Sequence, residues 1–206
     1  MNNHDNNTLV ASRSDFWNEV QGLSQDDPVI ITGEGIIFHL VETTPEMIVP
    51  KDIAHALSNM ARANGHFKHF FSVGQHSLQC YEEALARGLS LKVQLGCLLH
   101  DASEAYLSDV TRPLKRLLPD YTSLEYDLNL QIYARFGLCD MSNAEREMID
   151  EIDDALLLHE FEALHRLGSW ETPPAIASKP DFSYRPMDEV RDEFLATLAQ
   201  LQAHLS

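Results

Sequence analysis

The segment Leu98–Asp109, with the sequence LLHDASEAYLSD, most constrains how this chain can fold. Leucine and alanine recur here and in the preceding turn at the spacing of a helix packed into a core. His100, Asp101 and Glu104 interrupt this apolar pattern, and we expect all three to lie on one helix. Polar groups are costly to bury without a partner, and a metal ion would be a partner for all three. The segment therefore predicts a helical core that carries a polar site.

Most of the remaining chain has the same helical spacing, with recognisable start and stop signals. Ser72 and Ser90 are predicted N-caps, and the helix that begins at Pro50 is predicted to end at Asn64–Gly65. These signals recur along the chain without an internal repeat. The sequence therefore predicts an all-α fold of six to eight helices.

Three segments depart from that pattern. Residues 29–40 contain two β-branched runs around a Gly-containing turn, which predicts a small β-hairpin near the N-terminus. Residues 169–186 contain four prolines and are predicted to be irregular. Residues 1–13 are polar and rich in Asn, as in a disordered tail, which leaves residues 14–206 as a single predicted domain.

Composition limits the class of partner and the compartment. The net charge of −17 disfavours binding to long nucleic acids, although a local cluster of cations could still hold a small phosphorylated ligand. The sequence has no signal-peptide pattern and no apolar run of transmembrane length. Its three cysteines are widely spaced without a CxxC pair, which indicates reduced thiols. We therefore expect a cytoplasmic protein that binds neither nucleic-acid polymers nor membranes.

Two further residues extend the polar site to a set of four. His76 is predicted on the helix before the central one and Asp153 on a later helix, and both adjoin apolar positions. With His100 and Asp101 they form a mixed nitrogen and oxygen set that suits a divalent transition metal. Each residue alone is more often a hydrogen-bonded core side chain or part of a solvated face, so the residue types leave both interpretations open.

The order of His76, His100–Asp101 and Asp153 resembles the signature of the HD superfamily of metal-dependent phosphohydrolases. The surrounding sequence is similar to small bacterial and phage HD nucleotide phosphohydrolases, which include 5′-deoxynucleotidases and phage dATP triphosphohydrolases. The similar stretches are IAHALS, FSVGQHS and HDASEAYLSD, the last of which runs into TRPLK. The resemblance covers roughly residues 36–168.

The resemblance implies an HD-domain helical bundle and one divalent ion, for which Mn, Co, Fe, Ni, Zn and Mg are candidates. It implies His76, His100, Asp101 and Asp153 as the ligands. Asp153 is preferred to Asp154 because the family's aspartate precedes a Leu-Leu pair by three residues and a glutamate by seven.

The resemblance also implies roles for residues around the metal. Glu104 matches the acid that orients or deprotonates the attacking water, and Asp109 matches a carboxylate that acts in catalysis or sugar recognition. Arg62 and Lys115 match the cations that hold phosphate, and His66 is a further candidate for that role.

Three positions depart from the family pattern, which leaves the shape of the base pocket open. Gly74 stands where alanine is usual, Ala63 where phenylalanine is usual, and Ile152 where alanine often precedes the ligand. None of these changes removes a functional group. The aromatic candidates for lining the base pocket are Trp17, Phe67 and Phe71.

The implied activity is hydrolysis of a deoxynucleoside 5′-monophosphate to nucleoside and phosphate. Three alternatives stay open: a deoxynucleoside triphosphate triphosphohydrolase, a non-catalytic sensor of metal and nucleotide, and a helical interaction protein. The last alternative requires His76, His100 and Asp153 to lie far apart. By resemblance, we expect a small-molecule nucleotide as partner, a homo-oligomer, and a location in the cytoplasm of a bacterium or a phage-infected cell.

Overall fold

The computed structural model describes residues 13–24 and 26–205. The predicted tail lies outside these residues except for Arg13, which begins the first helix. In the described part of the chain, seven helices have nine residues or more and two are single turns, which confirms the all-α fold. The helices are α1 (Arg13–Gly22), α2 (Pro50–Asn59), α3 (Val73–Ala86), α4 (Leu91–Leu99), α5 (Glu104–Leu107), α6 (Arg112–Lys115), α7 (Pro119–Arg135), α8 (Asn143–Leu164) and α9 (Met187–Leu205).

The predicted β-hairpin is present. Strand β1 (Val29–Ile31) pairs antiparallel with β2 (Ile37–His39). Phe38 in β2 is fully buried, and its ring stacks on Tyr106 of α5 with a centroid separation of 3.9 Å. The hairpin is therefore packed against the helical core at the segment that follows α4.

Helix α4 lies at the centre of the helical packing. Every side chain from Val93 to Leu99 is buried, and α4 packs against α3, α8 and α9. Its approach to α8 depends on Gly96, because a Cβ at that position would overlap the Ile149 side chain. This close contact brings the C-terminal end of α4 beside the middle of α8.

The start of α3 is fixed by a cap and by a close helix contact. The Ser72 hydroxyl accepts a hydrogen bond from the Gln75 amide at 3.0 Å, as the sequence predicts. A Cβ at Gly74 would lie 3.1 Å from the Ser58 amide nitrogen in α2. The glycine that departs from the family pattern therefore has a packing reason, since it lets α3 lie close to α2.

The prediction that the helix from Pro50 ends at Asn64–Gly65 is wrong. Helix α2 ends at Asn59, and a separate 3-10 turn covers residues 62–65, with Ala63 and Asn64 at φ of 50° and 51°. The Arg62 amide donates to the Phe71 carbonyl at 2.9 Å, so this segment pairs with the chain that leads into α3. Tertiary pairing ends the helix early.

The prediction that His100, Asp101 and Glu104 share one helix is also wrong. Helix α4 ends at Leu99, and the next turn has i to i+3 bonds, such as the Glu104 amide to the Asp101 carbonyl at 3.0 Å. His100 Nδ1 bonds to the Cys97 carbonyl at 2.8 Å. In a continued helix that carbonyl would accept from the Asp101 amide, so the imidazole takes the bond that would extend α4.

Residues 169–186 form neither helix nor strand, as predicted, and we call them the proline-rich segment. A side chain of helix α3 binds this segment: the side-chain amide nitrogen of Gln75, Nε2, donates to the backbone carbonyls of Asp181 and Ser183 at 2.9 and 3.1 Å. Among the described helices, none has both the length and the apolar character required to cross a bilayer.

Candidate metal centre and its cavity

Four side chains from three parts of the fold meet at the end of α4. We call them the His–Asp cluster: His76 from α3, His100 and Asp101 from the turn after α4, and Asp153 from α8. His76 Nε2 lies 3.0 Å from Asp153 Oδ1 and 3.1 Å from His100 Nε2. His100 Nε2 lies 3.2 Å from Asp101 Oδ2. The structure thus brings together the four residues that the sequence suggested as ligands.

The partners of the two imidazoles fix which nitrogen faces the cluster. His76 Nδ1 contacts a carboxylate oxygen of Glu160 at 2.5 Å, and His100 Nδ1 contacts the Cys97 carbonyl at 2.8 Å. Both oxygens can only accept from an N–H, so each Nδ1 carries the proton in the neutral ring. Both Nε2 lone pairs are then directed at the same point, beside two carboxylate oxygens.

The spacing of these donor atoms fits a single metal ion. Ligands at about 2.0–2.2 Å from an ion lie about 3.0–3.4 Å apart when they are adjacent around it. In the His–Asp cluster, three distances between donor atoms lie between 3.0 and 3.2 Å, and two more are slightly longer, at 3.6 and 3.7 Å. Imidazole and carboxylate form a donor set that suits divalent first-row metals.

A sulfur atom also adjoins the two imidazoles. His76, Cys80 and His100 form a group that could hold a metal ion, with Cys80 Sγ 3.5 Å from His76 Nε2. Cys80 lies one turn after His76 on α3, a spacing that sequence reasoning did not use. Burial raises the pKa of the Cys80 thiol well above its ordinary value, which disfavours the thiolate that binds metals best.

The protonation of the His–Asp cluster indicates that it needs positive charge. Burial alone would lower the pKa of His100, but the Asp101 carboxylate beside it outweighs burial and raises that pKa well above its ordinary value. Burial alone would raise the pKa of Asp153, but hydrogen bonds with His100 and His76 lower it well below its ordinary value. Both pKa shifts favour positive charge between these side chains, as a bound cation also would.

Glu160 and Arg62 form a buried layer behind the His–Asp cluster. Glu160 is fully buried, and the Arg62 guanidinium lies 3.3 Å both from Glu160 Oε2 and from Asp101 Oδ2. Sequence reasoning assigned no role to Glu160, although its position two turns after Asp153 could have indicated the same helix face. Arg62, expected to hold phosphate, is engaged with these acids as well as lining the cavity.

Arg112 binds both of the neighbouring aspartates of α8, Asp153 and Asp154, but only Asp153 also faces the His–Asp cluster. Its guanidinium donates to Asp153 Oδ2 at 2.6 Å and also binds the exposed Asp154. Asp153 Oδ1 faces His76, whereas Asp154 is exposed and forms its ion pair with Arg112. Sequence reasoning gave Arg112 no role, although it lies within the TRPLK stretch.

Glu104 is a buried acid with a free oxygen. It is 4% exposed, and its Oε2 has no hydrogen-bond partner among the described residues. Burial raises the pKa of Glu104 well above its ordinary value, and the carboxylates of Asp101 and Asp109 raise it further. Burial also raises the pKa of Asp109. These two acids therefore bind protons more tightly than exposed carboxylates do.

A cavity of about 700 Å³ opens above the His–Asp cluster. Its wall includes the five residues that the sequence suggested for catalysis or phosphate binding: Arg62, His66, Glu104, Asp109 and Lys115. Its other lining residues are Ala63, Asn64, Phe67, Asp101, Val110, Thr111, Arg112, Pro113, Arg116, Asp153, Leu157, Phe161, His165 and Trp170.

Three of the predicted cavity residues, Lys115, Phe71 and Trp17, have surroundings that differ from those expected. Lys115 Nζ is bound to Glu125 at 2.6 Å and lies 3.8 Å from Glu104 Oε1, so its charge is already shared between two acids. Phe67 lines the cavity, whereas Phe71 is 1% exposed and contributes to the core beneath it. Trp17 lies on α1 and is not part of the cavity wall.

A comparison with known proteins gives relatives but no activity. The chain is 39% identical over 109 residues to uncharacterized protein YfdR of Escherichia coli (strain K12), a match that covers 53% of this chain and 58% of YfdR. It is 34% identical over 172 residues to uncharacterized protein RCAP_rcc00048 of Rhodobacter capsulatus, covering 76% of this chain and 87% of that protein. The chain thus spans little more than half the length of YfdR. No protein-family model matches the chain.

Proposed function

The chain belongs to the family of the Rhodobacter capsulatus protein RCAP_rcc00048, and we propose that it is a metal-dependent phosphohydrolase of the HD type. The substrate that we propose is a deoxynucleoside 5′-monophosphate, hydrolysed to nucleoside and phosphate. One observation carries this proposal. Two imidazole Nε2 lone pairs meet two carboxylate oxygens at one point, at the base of a cavity lined by cations and by an acid with a free oxygen.

The His–Asp cluster would hold one divalent ion, with Mn, Co, Fe, Ni, Zn and Mg as candidates. When bound, such an ion supplies a Lewis acid for a phosphoryl oxygen and lowers the pKa of a water ligand. The chain itself keeps the ligands in place. Arg62 holds Asp101, and Arg112 holds the outer oxygen of Asp153, so that Asp153 Oδ1 stays directed into the cluster.

Glu104 is the residue that we propose to take the proton of the attacking water. Glu104 lines the cavity and its buried Oε2 has no hydrogen-bond partner among the described residues, which supports a role for this carboxylate in binding the attacking water. Burial raises the pKa of Glu104, so the ionised carboxylate is a stronger base than an exposed one, which favours general-base catalysis. Asp109 lies on the same cavity wall, and we propose that it assists catalysis or contacts the sugar.

Cations on the cavity wall would bind the phosphoryl oxygens. Arg62, Arg112 and Lys115 line the cavity near the His–Asp cluster. A guanidinium can bind phosphate with two parallel hydrogen bonds, whereas the Lys115 ammonium, held by Glu125, would act as a fixed point charge. His66 lies on the same wall, is exposed, and would join them.

One substrate panel tests the proposal. The full chain is incubated with dAMP, thymidine monophosphate and dATP, each with Mn²⁺, Co²⁺ or Mg²⁺, and the products are separated. Orthophosphate and nucleoside from the monophosphates would support it, and Asp101→Ala should abolish this turnover while the circular dichroism spectrum stays the same. Tripolyphosphate from dATP would favour the triphosphohydrolase alternative. Nucleotide binding without turnover would favour a sensor, and full turnover in chelated protein would refute the metal dependence.

Two broader expectations stay part of this proposal. We propose a reducing, cytoplasmic location, on the basis of the three widely spaced cysteines that form no CxxC pair in the sequence. We also propose that the protein forms a homo-oligomer with a small-molecule nucleotide as its partner. Sedimentation of the full chain with and without dAMP would test both the assembly and its dependence on the nucleotide.

A further inference from the structure

Along the cavity wall that α8 and the residue after it provide, the type of side chain changes in a regular order. Asp153, Leu157 and Phe161 of α8 line the cavity at intervals of four residues, and His165, directly after the last residue of α8, lines it as well. Each interval advances about 6 Å along a helix, so Phe161 lies about 12 Å beyond Asp153. The wall therefore passes from a carboxylate of the His–Asp cluster, along an aliphatic side chain, to two planar rings.

Trp170 completes the aromatic end of this wall. Its ring centroid lies 5.0 Å from that of Phe161 at an interplanar angle of 72°. The chain next to Trp170 is tied back to α8, because the Ser169 amide donates to Glu162 Oε2 at 3.0 Å. We call Phe161, His165 and Trp170 the aromatic shelf, since all three rings line the cavity.

Much of the ring surface of Trp170 in the aromatic shelf is exposed, and the hydrophobic core beneath the shelf is packed without it. Trp170 is 66% exposed, whereas Phe67 and Phe71 below it are 8% and 1% exposed. The buried pair, with Leu164, already forms a packed cluster, and Phe161 covers it. An indole that is held against one ring, with most of its surface uncovered in a cavity, is suited to stacking on a planar ligand.

We propose that the aromatic shelf stacks the base of the nucleotide substrate, an inference that rests on the proposed function. With its phosphate at the His–Asp cluster, a nucleotide would place its sugar along Leu157 and its base at the level of Phe161 and Trp170. Stacking depends little on which base is present. The aromatic shelf therefore selects nucleotides over phosphoesters that have no ring, rather than one base over another.

Tryptophan fluorescence tests this stacking without any need for turnover. The chain contains two tryptophans, so Trp17→Phe leaves Trp170 as the single reporter and Trp170→Phe leaves Trp17. Deoxyadenosine and thymidine, which carry no phosphate, are titrated into each metal-free variant with excitation at the red edge of indole absorption. We expect saturable quenching in Trp17→Phe and none in Trp170→Phe. Equal quenching in the two variants, or none in either, would overturn the stacking.

A kinetic comparison gives the second readout. We expect Trp170→Ala to lower kcat/KM for dAMP relative to kcat/KM for glycerol 2-phosphate by roughly 5- to 150-fold, mainly through the KM for dAMP. Trp17→Ala, a change of the same type away from the cavity, should leave this ratio unchanged. An unchanged ratio in Trp170→Ala would also overturn the stacking.

The two readouts separate this inference from the proposed function. Saturable quenching of Trp170 in a protein that hydrolyses no phosphoester would support the aromatic shelf and contradict the phosphohydrolase. Hydrolysis of dAMP at an unchanged KM in Trp170→Ala would support the phosphohydrolase and contradict the aromatic shelf.

Discussion

Two fully buried carboxylates of this fold, Glu83 and Glu160, have opposite surroundings. Glu83 accepts hydrogen bonds from the backbone amides of Ala177 and Ser178 and from the Arg87 side chain, at 2.7 to 3.1 Å. Burial alone would raise the pKa of Glu83, but the bonds from Ser178, Ala177 and Arg87 lower it to about 2. This site is complete, because N–H donors from the chain reach both oxygens of the carboxylate, and only Arg87 among these donors also contacts another acid, the exposed Glu151 at 3.6 Å.

Glu160 also has a hydrogen-bond partner for each oxygen, but it shares these partners with other acids. Its partners are His76 and Arg62, and both also contact the acids of the His–Asp cluster. His76 Nε2 also lies 3.1 Å from His100 Nε2, so two basic nitrogens and the acids of the His–Asp cluster meet at one point. At Glu83 the hydrogen-bond donors match the acceptors, as expected for a buried acid that only supports the fold. At Glu160 and the His–Asp cluster the acceptors outnumber the donors, as expected for a site that an added cation would balance.

We expect the largest effect from a substitution of Asp153, which tests whether this residue belongs to a site that binds a cation. In Asp153→Ala, hydrolysis should be lost and the affinity for Mn²⁺ should fall by more than about 100-fold, because losing a ligand exceeds the 10- to 100-fold cost of losing an outer partner. Asp154→Ala is the matched control on the next residue and should bind Mn²⁺ almost as the parent does. Isothermal titration measures both, and equal losses in the two variants would contradict the assignment of Asp153.

Glu104→Gln should separate chemistry from metal binding. We expect kcat to fall by roughly 10²- to 10⁴-fold, because a general base is lost, while Mn²⁺ affinity stays within twofold of the parent. Initial rates with dAMP and a parallel Mn²⁺ titration measure the two quantities. A variant that keeps its kcat would remove Glu104 from the mechanism.

The same Glu104→Gln variant has a predictable effect on stability. Since the folded-state pKa of Glu104 is raised, the parent loses stability as pH rises through that pKa, and the neutral amide does not. Glu104→Gln should therefore be the more stable protein at pH 8, with a difference that vanishes below the pKa of an unfolded glutamate. Urea unfolding at pH 8 and near pH 4 measures the change, and a less stable variant at pH 8 would show that the acid is charged and satisfied.

Local signals in the sequence predicted local structure well. Ser72 caps its helix because a hydroxyl needs only the amide three residues later, and the hairpin follows from β-branched runs around a turn. The sequence failed to predict where α2 and α4 end, at Asn59 and Leu99. These ends depend on other contacts: the pairing of Arg62 with Phe71, and the bond from His100 to the Cys97 carbonyl. Helical periodicity contains no information about either.

The candidate site shows the same limit. Its four converging residues could be proposed because helical spacing and the resemblance marked them. The partners that orient them could not, since the contact of His76 with Glu160 joins residues 84 positions apart. Spacing indicates which residues share a face of a helix, but not which faces meet, so Arg112 and Glu125 were missed for the same reason.

Glu83→Gln tests the complete site. A carboxylate with a pKa of about 2 when folded and near its ordinary 4.5 when unfolded contributes roughly 3 kcal/mol at neutral pH, which is lost as pH falls through about 2. We expect the variant to lose about 2–3 kcal/mol of unfolding free energy at pH 7, measured in urea. Glu82→Gln, the half-buried neighbour, should change it little. Mn²⁺ affinity should stay the same in both, and a loss in Glu83→Gln would mean that the two sites are coupled.

The smallest effect is expected for Glu160→Gln, which sharpens the comparison because Glu160 is as buried as Glu83. The amide keeps the size of the side chain but weakens the acceptor that holds His76 Nδ1–H and Arg62. We expect a 10- to 100-fold loss of Mn²⁺ affinity, as for other outer partners of a metal ligand, with the kcat of the metal-saturated enzyme little changed. Glu151→Gln, on an exposed position of the same helix, is the control. If Glu160→Gln instead lost stability while binding Mn²⁺ normally, Glu160 would be a structural acid of the same kind as Glu83.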